Sequence, residues 1–168
     1  MRTLEVTADV AVPLRTAYDQ WTRFESFPRF MTVVREVEQV RPAVTRWLVG
    51  IGPFTREFHA EILEQEPDSH LSWRSWDRDL RHAGTVSFTP RGPAVTTVTV
   101  AVRCAAWEGP GVVTLPVVRR VVAAELGHFA AFIEGLGDAG DTWRGTIRGG
   151  RLQRLENEPP SVPGWRHG

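Results

Sequence analysis

Between residues 116 and 136 the chain reads PVVRRVVAAELGHFAAFIEGL, and its apolar positions recur with the period of a helix. At about 100° per residue, Val118, Val122, Phe129, Phe132 and Leu136 share one stripe, widened by Val121, Leu126 and Ile133. Pro116 suits a first helical turn and Gly137 follows the last apolar residue, so the spacing predicts one helix over 116–136, roughly 31 Å long. Arg119, Arg120, Gly127 and Glu134 fall on its flanks or back. One acidic residue interrupts the stripe: Glu125 projects near its centre, three residues after Val122 and four before Phe129.

Upstream the period changes. Residues 3–10 place Leu4, Val6, Ala8 and Val10 against Thr3, Glu5, Thr7 and Asp9, the alternation of a half-buried strand. Pro13 then begins a helix carrying Tyr18, Trp21 and Phe24, and Glu25-Ser26-Phe27-Pro28 ends it before a short second turn with Phe30 and Met31. From about 34 to 104, turn residues such as Gly50-Ile51-Gly52-Pro53, Pro67-Asp68 and Arg91-Gly92-Pro93 separate short alternating runs. They predict an antiparallel meander of about six strands. By phase, one face carries Trp47 and Val49, Phe54, Phe58, Ala60 and Ile62, Leu71 and Trp73, Val86 and Phe88, and Val98, Val100 and Val102. The other carries Thr55, Glu57, His59, Glu61, Arg74, Thr97 and Thr99.

A sheet with one dry face, followed by a long amphipathic helix, is satisfied when the sheet curls around the helix. The expected class is α+β: a curved antiparallel sheet of about seven strands wrapped around a long C-terminal helix, with two short helices after the first strand. Burying each large apolar side chain contributes about 1.5–3 kcal/mol, so loss of Phe129 is expected to be severe. The pattern predicts one domain over 1–147 and a flexible tail over 148–168, where Gly, Pro and charge accumulate.

Composition narrows the partners. The chain has 168 residues, 42% hydrophobic, with 20 basic and 20 acidic side chains and no net charge. Nothing favours nucleic acid or an anionic membrane. Every basic residue is arginine, which excludes lysine Schiff-base chemistry and a P-loop. Cys104 is the single cysteine, so an intrachain disulfide is impossible and a reducing cytoplasm is the expected setting. The N-terminus has no signal-peptide core, and the run VVTLPVV is far shorter than the ~20 residues of a membrane span.

The candidate chemistry centres on Arg56 and Glu125. Arg56 shares the phase of Phe58 and Ala60, so it is expected to point inward, toward the stripe that carries Glu125. Either the two act on a carbonyl-rich ligand, as acid/base and oxyanion-stabilising guanidinium, or they form a buried salt bridge between helix and sheet. Tyr18 can donate a hydrogen bond to a ligand or simply pack half-buried. His128 lies on the flank of the long helix, at the expected cavity edge. Trp47 and Trp73 form either a flat-walled slot or ordinary core; Phe24, Phe27, Phe30 and Met31 form either a lid or a cap. His59 and His70 face outward and His82 lies near a turn, so no metal site is expected, and no cofactor.

Four stretches, VAVPLRTAYDQWTRFESFPRFM at 10–31, REFHAEILEQEPDSHLSWRS at 56–75, GTVSFTP at 84–90, and ELGHFAAFIE followed by GDTWRGTI near the end, cover nearly the whole chain. In order and spacing the chain resembles the polyketide cyclase/dehydrase branch of the START-like (SRPBCC) superfamily. The resemblance implies the helix-grip fold and a largely apolar cavity between sheet and C-terminal helix. It implies that Arg56, Tyr18, Trp47 and Trp73 match the residue types that orient a polyketide in aromatase/cyclase members. With them, Trp21, Phe27, Phe30, Met31 and Phe58 are expected to line the cavity, as are Phe88, His128, Phe129 and Phe132. The leading expectation is a bacterial protein of antibiotic or pigment biosynthesis that promotes aldol ring closure and dehydration. The rival is a non-catalytic carrier for a lipid, quinone or other hydrophobic molecule. A third role is partnership in a biosynthetic complex through the tail, as monomer or homodimer.

Overall fold

Thr3–Val10 forms β1, as its alternation requires, and pairs antiparallel along its whole length with β7 (Val95–Cys104). The computed structural model describes residues 3–51, 53–77, 81–104, 115–136 and 144–155. Between β1 and β2 (Val34–Arg41) lie α1 (Leu14–Thr22) and a 3₁₀ helix (Phe24–Arg29) containing Pro28. The meander continues through β3 (Val44–Ile51), β4 (Phe54–Glu66), β5 (His70–Ser75) and β6 (His82–Gly92) to β7. The strand order is β1-β7-β6-β5-β4-β3-β2. The two helices thus bridge the opposite edges of one antiparallel sheet. Register shifts in β2–β3, β4–β5 and β6–β7 mark bulges, which bend the strands and deepen the curve.

Across the concave face runs α2 (Leu115–Leu136). Leu126, Phe129 and Ile133 are buried, Val121 and Val122 are half-buried, and the predicted stripe is recovered except at its end, where Leu136 is 52% exposed. Leu136 keeps the angle of the stripe but sits in the last turn, where no strand among the described residues covers it. Two contacts tie the helix to the first strand: Arg119 Nη1 donates to the Glu5 carbonyl (2.7 Å), and the Ala11 N–H donates to Glu134 Oε2 (2.9 Å). Phe129 packs edge-on to Trp21, ring centroids 5.0 Å apart. The helix-grip α+β class is therefore the observed one.

Strand phase placed most inward side chains correctly, with Phe58, Ala60, Ile62, Leu71, Val86, Phe88, Val98 and Val100 all buried. Thr97 departs from its outward assignment. It is buried because its hydroxyl donates to Asp9 Oδ1 (2.6 Å) and accepts from Arg91 Nε (2.8 Å). The Phe54 side chain, the Gly137 stop signal and the end of the tail, 156–168, lie outside the described residues.

The boundary at 147 is too early. β8 (Gly145–Arg148) and β9 (Arg151–Leu155) form a hairpin, and β8 pairs with β4 at Glu64 and Gln65, just past the point where β3 leaves it. Gly149 and Gly150 have φ of 59° and 75°, the left-handed pair of a type I′ turn. Composition alone reads that Gly-Gly as flexibility; flanked by pairing strands it is a tight turn. Arg144, just before β8, is 1% exposed. It pairs with Asp19 of α1 and, at 2.8 Å, with Asp68 of the β4–β5 turn, and its guanidinium lies 5.4 Å over the Tyr18 ring.

Two stability measurements follow from this packing. In urea unfolding, Phe129→Ala is expected to cost about 3–5 kcal/mol, because a large ring leaves a site that cannot collapse. Arg144→Met is expected to cost about 3–5 kcal/mol, because it strands the Asp19 carboxylate in the interior.

Candidate functional site

Between the concave face and α2 lies a cavity of about 300 Å³. Its wall is supplied in chain order by Trp21 of α1, Phe24 and Phe27 of the 3₁₀ helix, Met31, and inward positions of β2 to β7. Val121, Val122, Glu125 and Leu126 of α2 close it. Trp47 and Phe58, partners across β3 and β4, lie parallel at 6.2 Å with only 4° between their planes. The Trp47 indole is held in place, since its Nε1–H donates to Thr45 Oγ1 (2.8 Å). Phe27 bridges this wall to the helical side, 5.5 Å from Trp47 and 5.4 Å from Trp21. Trp73 lies directly across Gly84 on β6, where a Cβ would stand 2.4 Å from its ring. Glycine is required there because the indole occupies the space of a side chain.

Thr45, His82 and Glu125 are the polar members of the wall, and Glu125, the carboxylate among them, is 7% exposed. Its Oε1 accepts from the Thr32 N–H (3.2 Å) and the Thr32 hydroxyl (3.0 Å), and faces His128 Nδ1 at 3.2 Å. Its Oε2 is buried with no hydrogen-bond partner. The carboxylate thereby pins the segment after the 3₁₀ helix onto α2 through one oxygen and leaves the other uncommitted. His128 is one helical turn away and half in solvent, its side chain 46% exposed.

The expected Arg56–Glu125 pair does not form this site. Arg56 holds the inward phase, opposite Val49, but lies near the tip of the β3–β4 hairpin, and its side chain is exposed. Phase fixes the face of a sheet, not the depth along it, and a long arginine near a strand end reaches water. Tyr18 is fully buried, packed on Phe88 (5.4 Å) and beneath Arg144, and is not part of the cavity wall. Burial pushes its phenol well above the ordinary value, so it stays protonated. Burial also raises the Asp19 carboxyl, against the lowering effect of Arg144.

Of the remaining expected wall residues, Trp21, Phe27, Met31, Trp47, Phe58 and Trp73 line the cavity. Phe88 and Phe129 form the core behind it, Phe30 and Phe132 stack on each other at 4.7 Å, and His128 borders solvent. Thr32, Thr45 and His82 went unrecognised. His82 shares the inward phase of Gly84 and Val86, and its ring meets Phe58 edge-on at 5.0 Å; that phase was legible. No sequence signal marks Thr32, whose role depends on a contact 93 residues away.

Among the described residues no three His, Cys, Asp or Glu side chains gather to hold a metal, and no helix is long and apolar enough to cross a membrane.

The model of the family described as "Polyketide cyclase / dehydrase and lipid transport" matches residues 10–129. The chain belongs to this family. It is 35% identical over 153 residues to an uncharacterized 17.2 kDa protein of Streptomyces lincolnensis, covering 88% of this chain and 99% of that one. Among solved structures, a START superfamily protein from Mycobacterium smegmatis superimposes with a TM-score of 0.64 at 19% identity, covering 80% of this chain and 96% of its own. The Zhui aromatase/cyclase from Streptomyces sp. R1128 gives 0.64 at 16% identity, covering 79% and 93%. At these identities the structures share the fold.

Thr32→Val removes one of the hydrogen bonds to the Glu125 carboxylate while preserving shape. Chemical denaturation is expected to show a loss of about 1.5–3 kcal/mol.

Proposed function

We propose that this protein is a polyketide cyclase/dehydratase-like catalyst that binds a hydrophobic, carbonyl-rich molecule in its cavity and promotes aldol ring closure and loss of water. The observation that carries the reading is one carboxylate, Glu125, with an uncommitted oxygen at the wall of a largely apolar, aromatic-lined cavity. A methylene between two carbonyls is acidic enough for a carboxylate to deprotonate. Glu125 takes that proton, and the enolate carbon forms a bond to a second carbonyl folded against it. The alkoxide so formed recovers the proton from the carboxylic acid. A second α-proton goes to Glu125, and the hydroxyl departs as water on receiving it. Protons balance, and no redox partner or cofactor is required.

The aromatic walls supply the rest. Flat surfaces at Trp47, Phe58 and Trp73 favour a planar, folded chain over an extended one, and holding the reacting carbons together is worth effective molarities of about 10⁵ M or more. In this reading Arg56 and Tyr18 have no catalytic part, since one is exposed and the other is buried in a separate ion cluster.

Glu125→Gln preserves the shape and the Thr32 contacts but cannot carry the proton. With a short poly-β-ketone thioester analogue, ring closure is expected to slow by about 10²-fold or more, with the unfolding midpoint nearly unchanged. An unchanged product profile from a folded variant overturns the reading.

A further inference from the structure

We infer that the cavity is built for a planar aromatic molecule that presents a hydroxyl donor, a phenol or an enol, to Glu125 Oε2. This rests on the reading of Glu125 as the group that meets the ligand, and it adds the recognition chemistry.

The three donors around Oε1 decide the chemistry of Oε2. The Thr32 N–H, the Thr32 hydroxyl and His128 Nδ1 all gather on one oxygen. That oxygen is therefore fixed as an acceptor, and the second is left to exchange a hydrogen bond with whatever lies against it. Other polar wall groups are already engaged. Thr45 Oγ1 accepts from the Trp47 indole and donates to the Ala60 carbonyl (3.4 Å), and His82 is not without a partner. Among the described residues of the wall, Glu125 Oε2 is the buried side-chain polar atom that lacks a partner. Leaving such an atom unmade is costly, and a ligand hydroxyl recovers that cost where an ether or a hydrocarbon cannot.

Shape follows from the walls. About 300 Å³ is at the lower end of the range for small-molecule sites. The parallel Trp47 and Phe58 rings, fixed by the sheet and the Thr45 hydrogen bond, give it flat walls. Two fused rings fit such a space.

The test is isothermal titration of the purified protein with 2-naphthol and 2-methoxynaphthalene. The wild-type protein is expected to bind 2-naphthol about tenfold to a hundredfold more tightly than its methyl ether. In Glu125→Gln the amide oxygen is held at the Oε1 position by the same donors, so its NH₂ takes the Oε2 position. The preference for the hydroxyl is then lost or reversed. Wild-type affinities for naphthol and ether within twofold of each other, or no binding of 2-naphthol, overturn the hydroxyl subsite. Neither result touches the turnover measurement on Glu125→Gln, so this inference and the catalytic reading fail separately.

Discussion

The structure depends on burying one face of α2 within a curved sheet while one position on that face is a carboxylate. Leu126, Phe129 and Ile133 drive the helix into the concavity, and Glu125 must go with them because it shares their stripe. A carboxylate taken out of water needs partners, and Thr32 supplies two donors from the segment that follows the 3₁₀ helix. The same requirement that satisfies Glu125 therefore fastens the Phe24–Met31 side of the cavity to the helix. Packing and chemistry meet at one residue.

A second constraint acts where the C-terminal hairpin meets α1. Arg144, Asp19 and Asp68 join the C-terminal hairpin, α1 and the β4–β5 turn in a buried ion cluster beneath which Tyr18 is locked. The guanidinium attracts both carboxylates there, and the cluster ties α1 to the hairpin and to the β4–β5 turn. That leaves Trp21, on the same helix, fixed as part of the cavity wall.

Much of this was legible in the sequence, and what escaped it shares a physical cause. Periodicity placed α2, the meander and the inward faces, because helical and strand periods are local properties of the chain. It also singled out Glu125, whose burial follows from its angle on the stripe. Periodicity could not tell how far along a strand the cavity extends, so Arg56 was assigned to the interior from phase alone. It could not anticipate Thr32 as the partner of Glu125, or Arg144 as the partner of Asp19, because those pairs are 93 and 125 residues apart. The β8–β9 hairpin escaped because Gly149-Gly150 reads as flexible until the strands beside it are known to pair.

Everything proposed for the cavity turns on Glu125 Oε2 being the atom that meets the ligand, and a crystal structure of the protein with 2-naphthol bound decides it. The rings are expected between the Trp47–Phe58 wall and α2, with the naphthol oxygen about 2.5–3.0 Å from Glu125 Oε2 and the Thr32 contacts to Oε1 intact. Rings seated in the cavity with the hydroxyl turned away from Glu125 toward solvent would contradict it.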